Sequence, residues 1–193
     1  MANFEVKCFS RDEVLSDINK GKYPFMKSAV EIIISHEKNR KNLRDGFDEF
    51  LSDTYTAFSD SKNASGFVLY KDNNPISFVM FENVDFEDSD IVTTMVWTKK
   101  GYEGSGYARS LIRSALNYYA NNTPCQKCYA TINTENYKSL GVHDYFVRHG
   151  YGREYLEAGK IKCELDIQKF KNEDKFEILP TQNQEKEDVN LNK

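Results

Sequence analysis

The chain has no apolar run approaching the roughly 20 residues of a membrane-spanning helix, so a membrane protein is not expected. Met1 to Ser10 lack the charged start and apolar centre of a secretory signal, and a cytoplasmic location is the expectation. Cysteine is scarce, with four in 193 residues, too few for a disulfide scaffold; thiols are expected instead. Cys125 and Cys128 form a CxxC, but there is no second pair. Cys8, Cys163, His36, His143 and His149 show no ligand spacing around it, so no metal is expected. Pro124 places the pair in a loop rather than at a helix N-terminus that would activate a thiol, which argues against redox work. Positive charge is not in excess. A net charge of −4 and a pI of about 5.5 argue against broad nucleic-acid binding. Internal repeats are absent as well.

What is present suits one core. A hydrophobic content of 39% in 193 residues is enough for a single domain and the length is short for two. That domain is expected over residues 1–170. Residues 171–193 turn charged and polar and are expected to form a disordered or loosely attached tail, with Ile178, Leu179 and Pro180 as its only apolar patch. Phe4 to Phe9 alternates as an opening strand, and Ser10 with Glu13 makes a helix-starting capping box. A helical stripe follows at Phe25, Met26, Ala29, Val30, Ile33 and Ile34, continued by Phe47, Phe50 and Leu51. Phe67 to Tyr70 and Ile76 to Phe81 are β-rich runs around Lys71 to Pro75, whose turn formers predict a hairpin.

The densest signal is the stretch Met95 to Ile112, MVWTKKGYEGSGYARSLI, which joins an apolar strand, a glycine turn and an amphipathic helix without a break. Ile91 to Trp97 reads as a buried strand. Past Gly106, Ala108, Leu111, Ile112, Ala115, Leu116 and Tyr119 form the stripe of a helix laid on a core. Gly104, Ser105 and Gly106 therefore present unpaired backbone N–H groups at the positive end of a helix dipole, a place to hold phosphate. A plain structural turn is the competing reading. The dinucleotide fingerprint lacks its third glycine, since Arg109 and Ser110 follow, and the Walker lysine is missing too.

This junction resembles the acetyl-CoA motif of the Gcn5-related N-acetyltransferase (GNAT) superfamily, in which Arg or Gln, two residues, Gly, one residue, then Gly or Ala follow the strand. Here that frame reads Glu103, Gly106, Ala108. The downstream order is also similar: a strand at Lys127 to Asn133, Asn136, a helix, then Arg148, His149, Gly150 and Tyr151, similar to the usual ending in Gly and an aromatic. The resemblance spans about Gly66 to Phe170. It implies an α/β acyl-CoA N-acyltransferase fold, a central mixed and mostly antiparallel sheet with helices on both faces. It also implies an acetyl-CoA co-substrate, with no metal. By position, Val96, Trp97 and Thr98 would hold the pantetheine arm. Glu103, Gly104, Ser105, Gly106, Tyr107, Ala108 and Arg109 would cradle the pyrophosphate. Asn133 and Asn136 would bond the pantetheine or cap the last helix. Lys99, Lys100, Arg109 and Arg113 read as CoA contacts or as solvated surface.

Two departures stand out: Glu103 occupies the family's Arg or Gln position, and the usual catalytic tyrosine falls on Phe146, with Tyr145 one place earlier. The resemblance implies direct acetyl transfer to a primary amine of a small molecule or a protein through a tetrahedral intermediate. An N–H of Val96 or Trp97 would face the developing oxyanion. For the acid that reprotonates the thiolate the candidate is Tyr145; for the base, Glu82 first and Asp90 second, with His143 and His149 as alternatives. Tyr23, Phe25, His36 and Tyr55 would line an acceptor pocket or pack in the core. Asp85, Glu87, Asp88 and Asp90 make an acidic loop that is either solvated or attractive to a cationic amine; its spacing fits no EF-hand. A homodimer would be ordinary for the family. The competing function is a CoA-binding or structural domain with impaired catalysis, the reading favoured by Glu103 and Phe146. A charged-tRNA acceptor fits less well, because such relatives tend to be basic.

Overall fold

The computed structural model describes residues 2–36, 50–83 and 89–173. Four strands run as an antiparallel meander: β1 (Phe4–Ser10), β2 (Ser65–Lys71), β3 (Asn74–Asn83) and β4 (Asp90–Thr98). β5 (Lys127–Asn133) lies parallel to β4, and β6 (Gly152–Glu157) and β7 (Lys160–Asp166) complete one seven-stranded sheet in the order β1-β2-β3-β4-β5-β7-β6. The single parallel pair requires a crossover, and helix α4 (Tyr107–Asn122) supplies it. The other helices are α1 (Arg11–Asn19), α2 (Pro24–Ile34), α3, described over residues 50–60, and α5 (Tyr137–Arg148). A 3-10 turn, Ile167–Phe170, follows β7.

Local chemistry accounts for these boundaries. Ser10 and Glu13 form the full reciprocal capping box at the start of α1. Pro24 opens α2, where its missing N–H costs nothing. The β2–β3 hairpin turns on two residues, Asp72 (φ 49) and Asn73 (φ 65), both left-handed as a tight primed turn requires. The turn is thus narrower than the Lys71 to Pro75 window, and Pro75 belongs to β3, opposite Tyr70 at a register irregularity where a missing donor is tolerated.

The sheet buries both faces. On one side α4 and α5 cover Phe67, Leu69, Val79, Phe81 and Ile91, with Leu111, Leu116, Tyr119 and Phe146 completing the cluster. On the other side α1, α2 and α3 cover Val68, Phe78 and Met80, with Phe25, Ile32 and Phe58 at the centre. Helix α2 lies so close that a Cβ on Gly66 would stand 2.3 Å from the Phe25 ring. Among the described residues no helix is long and apolar enough to cross a membrane. All four cysteines remain thiols; Cys125 and Cys128 are buried, and desolvation pushes Cys128 up to about 12.

Of the predicted tail only residues 171–173 are described, and they are anchored. Glu173 accepts from the Tyr151 hydroxyl and pairs with Arg113 at 3.3 Å, and its carbonyl takes the Asn117 amide. Phe47, Asp85, Glu87, Asp88, Ile178, Leu179, Pro180 and the rest of 174–193 lie outside the described residues.

Candidate active site

The site is built where two neighbouring strands part. β4 pairs with β5 only from Asp90 to Val92, opposite Lys127 to Tyr129, and beyond that point the two strands share no ladder. β5 stays fully paired with β7 on its far side, so the β4 edge from Thr93 onward and the facing β5 edge from Ala130 border an opening. A bulge accompanies the parting: Met80 faces Met95 while Phe81 faces Thr93, leaving Thr94 as the extra residue. Bulges bend a strand and free its polar groups, and here the bend falls one residue past the start of the opening. Val96, Trp97 and Thr98 lie on this unpaired stretch. His36, from beyond α2, braces it: its Nε2 lies 3.0 Å from the Thr98 carbonyl oxygen and its ring packs edge-on to Trp97.

The strand leads into the glycine turn. Gly104 (φ 78) and Gly106 (φ 79) adopt the left-handed region that other residues avoid, and Gly106 is the N-cap of α4. No side chain caps this helix and its first turn holds no acid, so its leading N–H groups remain available to a ligand. A Cβ on Gly104 would meet nothing within 4 Å, which makes the turn open as well as polar. This is the combination an anionic phosphate needs: donors, dipole and room. The side chain of Tyr107 packs instead on Phe4 and Tyr102, leaving only its backbone for such a role. Arg109 is half-buried, its guanidinium 4.7 Å from the centre of the Tyr145 ring.

Glu103 finds its ion-pair partner on another element, with Lys100 and His36 acting on it only through space. It bonds Lys138 in the first turn of α5 at 2.6 Å, and this bond first of all holds its carboxyl below the ordinary range. Lys99 is committed to Glu31 at 2.7 Å, and Arg113 to Glu173. Three of the expected cofactor cations are therefore placed as follows: two serve internal pairs, and Arg109 remains at the turn. Lys138 was missed, since nothing in the sequence links position 138 to position 103.

Tyr145 and Phe146 diverge as neighbours on a helix must. Phe146 is fully buried against Tyr145, Tyr151 and Phe170. Tyr145 is half-buried, stacked on His149 at 4.1 Å, with its hydroxyl 3.5 Å from Arg113 Nη2. An α4 with Arg109 and Arg113 at i and i+4 thus presents both cations to one phenol.

Glu82, at the end of β3, is half-buried; desolvation raises its carboxyl above the usual range, and a bond from Thr94 partly opposes that. It sits opposite Val92, where the opening starts. Asp90 is engaged differently, accepting the Lys127 N–H at 3.2 Å at the closed end of the two strands. His143 is buried with Nδ1 2.9 Å from the Ser139 carbonyl, and burial lowers its pKa, while His149 is exposed. Asn136 caps α5 by accepting the Ser139 N–H, and Asn133 is exposed at the end of β5. Phe25 is core, Tyr55 is exposed, and neither lines a cavity with Glu82. The wall facing Glu82 is α3 instead, through Asp53, Thr54, Ala57 and Asp60. These were overlooked, although their i, i+1, i+4, i+7 spacing places them on one polar, small-residue face of the helix.

The Acetyltransferase (GNAT) family model matches residues 35–151. No curated protein matches the chain in sequence. Among solved structures, the chain is similar to the PaiA N-acetyltransferase from Thermoplasma acidophilum in complex with coenzyme A, with TM-score 0.58, 11% identity, and coverage of 85% of this chain and 99% of that one. A spermidine N-acetyltransferase SpeG chimera from Vibrio cholerae and hSSAT gives 0.56, 16%, 88% and 99%. The ribosomal-protein-S5-alanine acetyltransferase from Vibrio fischeri gives 0.54, 16%, 87% and 95%. At these identities the likeness is one of fold.

Proposed function

Since the chain belongs to the GNAT acetyltransferase family, we propose that it moves the acetyl group of acetyl-CoA directly onto a primary amine of a small molecule or a protein. The observation that carries this is the parting of β4 from β5 beside a bulge, followed at once by an uncapped glycine turn. The opening gives an extended pantetheine arm a strand edge to bond, and the turn gives its diphosphate N–H donors. The solved neighbour with coenzyme A bound supports the same choice of co-substrate. Roles follow from position: Val96, Trp97 and Thr98 along the arm, Glu103 to Arg109 around the diphosphate, and Asn133 with Asn136 at the facing end of β5.

When bound, acetyl-CoA supplies a thioester carbonyl whose carbon forms the new C–N bond as the C–S bond breaks, the electron pair leaving on sulfur. The protein has three tasks around that exchange. A backbone N–H of Val96 or Trp97 stabilises the carbonyl oxygen as it gains charge. Glu82 takes a proton from the substrate ammonium, freeing the amine lone pair for attack, and its raised pKa brings it closer to neutrality, where a base is most effective. Tyr145 returns a proton to the thiolate, its hydroxyl oriented beside Arg113. Asp90, tied to the Lys127 N–H, gives way to Glu82 in this scheme.

The competing reading, a CoA-binding domain with impaired catalysis, draws on one observation: the family's tyrosine position is Phe146, sealed in the core. Thermal unfolding with acetyl-CoA and with free CoA, then thiol release with an amine panel, separates the two. A ligand bound only by the folded state raises Tm by mass action. A rise with turnover supports transfer, a rise without turnover the impaired domain, and no rise defeats both.

A further inference from the structure

On the face of the sheet opposite α4, a cavity of about 550 Å³ lies between α3 and the ends of β3 and β4. That volume is typical of small-molecule sites. It reaches Thr94 and Met95, at the bulge where β4 leaves β5, so it opens next to the point at which the acetyl group is to be transferred. Its charge is one-sided: Asp53, Asp60 and Glu82 line it, and no Lys or Arg does among the described residues. Met80 and Met95 give it an apolar floor.

The acids are spread along it. The Ser61 hydroxyl donates to Asn83 Oδ1 at 3.0 Å and the Asn63 N–H to the same oxygen at 2.8 Å, which pins the C-terminal end of α3 beside Glu82. Asp53 lies seven residues back, two turns and about 10 Å along the helix on the same face. A second, independent sign is Thr54. It is fully buried, lines the cavity, and its hydroxyl has no hydrogen-bond partner among the described residues. Buried hydroxyls are rarely left so, and a group that enters the cavity would satisfy it.

We propose that this cavity is the acceptor site and that it selects a small linear amine with at least two positive charges. The reacting nitrogen sits at Glu82, the methylenes lie over Met80 and Met95, and the distal ammonium is held by Asp53. This rests on the transfer reaction above. A monoamine would leave the far acid without a counter-charge, so recognition of the second charge is the distinguishing property.

The test is thiol release at saturating acetyl-CoA with putrescine and with n-butylamine, which share a carbon chain and differ by one ammonium. Putrescine should exceed n-butylamine in kcat/KM by about tenfold or more at low salt, as one charge-assisted hydrogen bond is expected to give. The ratio should fall several-fold in Asp53→Asn with Asp60→Asn, both exposed positions, with an unchanged acetyl-CoA-dependent Tm rise as proof of folding. Equal kcat/KM values, a ratio the variant does not change, or acetylation of peptides alone would overturn the proposal while leaving the transfer reaction standing. If acetyl-CoA gives no Tm rise, the transfer reading falls, and calorimetric titration of putrescine into wild type and variant still decides the cavity: binding lost in the variant supports it, and no binding refutes it.

Discussion

The pair of Glu103 and Lys138 makes a sharp electrostatic prediction, because it places two opposite charges at the turn where the diphosphate is expected. The two atoms are 2.6 Å apart, so at the distance of a ligand they act as a nearly neutral dipole. Lys138 is largely exposed, and as a stabiliser of the fold the pair is worth little, on the order of 0–1 kcal/mol. Its effect should appear in binding. Taking a diphosphate of two charges at about 8 Å, one uncompensated unit charge contributes about 1 kcal/mol in water before screening. At physiological salt, with a Debye length of about 8 Å, roughly 0.4 kcal/mol survives, about twofold in Kd; at about 0.01 M salt it is roughly fourfold.

Removing the carboxylate should tighten binding and removing the ammonium should weaken it by the same factor. Glu103→Gln is therefore expected to lower the Kd of CoA about fourfold at low salt, Lys138→Gln to raise it about fourfold, and the double variant to return close to wild type. Glu103→Arg should tighten further than Glu103→Gln. Isothermal titration at two salt concentrations reads all four variants against the wild type. If Glu103→Gln leaves the low-salt Kd unchanged, or the double variant behaves like Lys138→Gln, the carboxylate is remote from the phosphates and the assignment of this turn fails.

Other residues give independent checks. Glu82→Gln should cut thiol release by about 10²-fold and slightly raise Tm at pH 7. Burial makes the folded carboxyl hold its proton more tightly than the unfolded one, so stability falls as pH rises from the ordinary carboxylate value through the raised one and stays reduced above it; a lower Tm with lost activity would mark Glu82 as structural. Wild-type kcat/KM should correspondingly decline as pH falls through the raised value, and an acid limb that persists in Glu82→Gln would point to another base. Tyr145→Phe should lower kcat by about 10²-fold with the CoA Kd within about twofold, and full turnover would exclude the phenol as acid. Phe146→Ala should cost about 3–5 kcal/mol in urea unfolding, since the ring is fully buried against Tyr151 and Phe170; a loss under about 1 kcal/mol would mean the position is not core.

Most of the frame was legible because it is written in neighbouring residues. The capping box of Ser10 and Glu13, the turn formers after Lys71, the stripe from Ala108 to Tyr119 and the Asn136 cap each join groups within a few positions, where spacing alone decides contact. The glycine turn was legible for the same reason. What stayed hidden is carried by distance: Lys138 reaches Glu103 across 35 positions, Glu173 reaches Arg113 and Tyr151, and Ser61 meets Asn83 across the whole β2–β3 hairpin. The Asp53 face of α3 escaped for a different reason. Acids on a helix ordinarily mean solvent, so only the cavity behind them changes their reading.

This division bears on how such a site tolerates change. The turn and the parted strand work through backbone N–H and C=O groups, which any sequence supplies once Gly104 and Gly106 allow the path. On the proposed reading a carboxylate at position 103 is survivable, because the diphosphate would be held chiefly by main chain and helix dipole, and one lysine from α5 offsets the intruding charge. Catalysis has no such insurance. A proton must pass through one named side chain, so the loss of a hydroxyl at position 146 has to be met by a phenol elsewhere, and Tyr145, half-buried beside Arg109 and Arg113, is the phenol proposed to meet it.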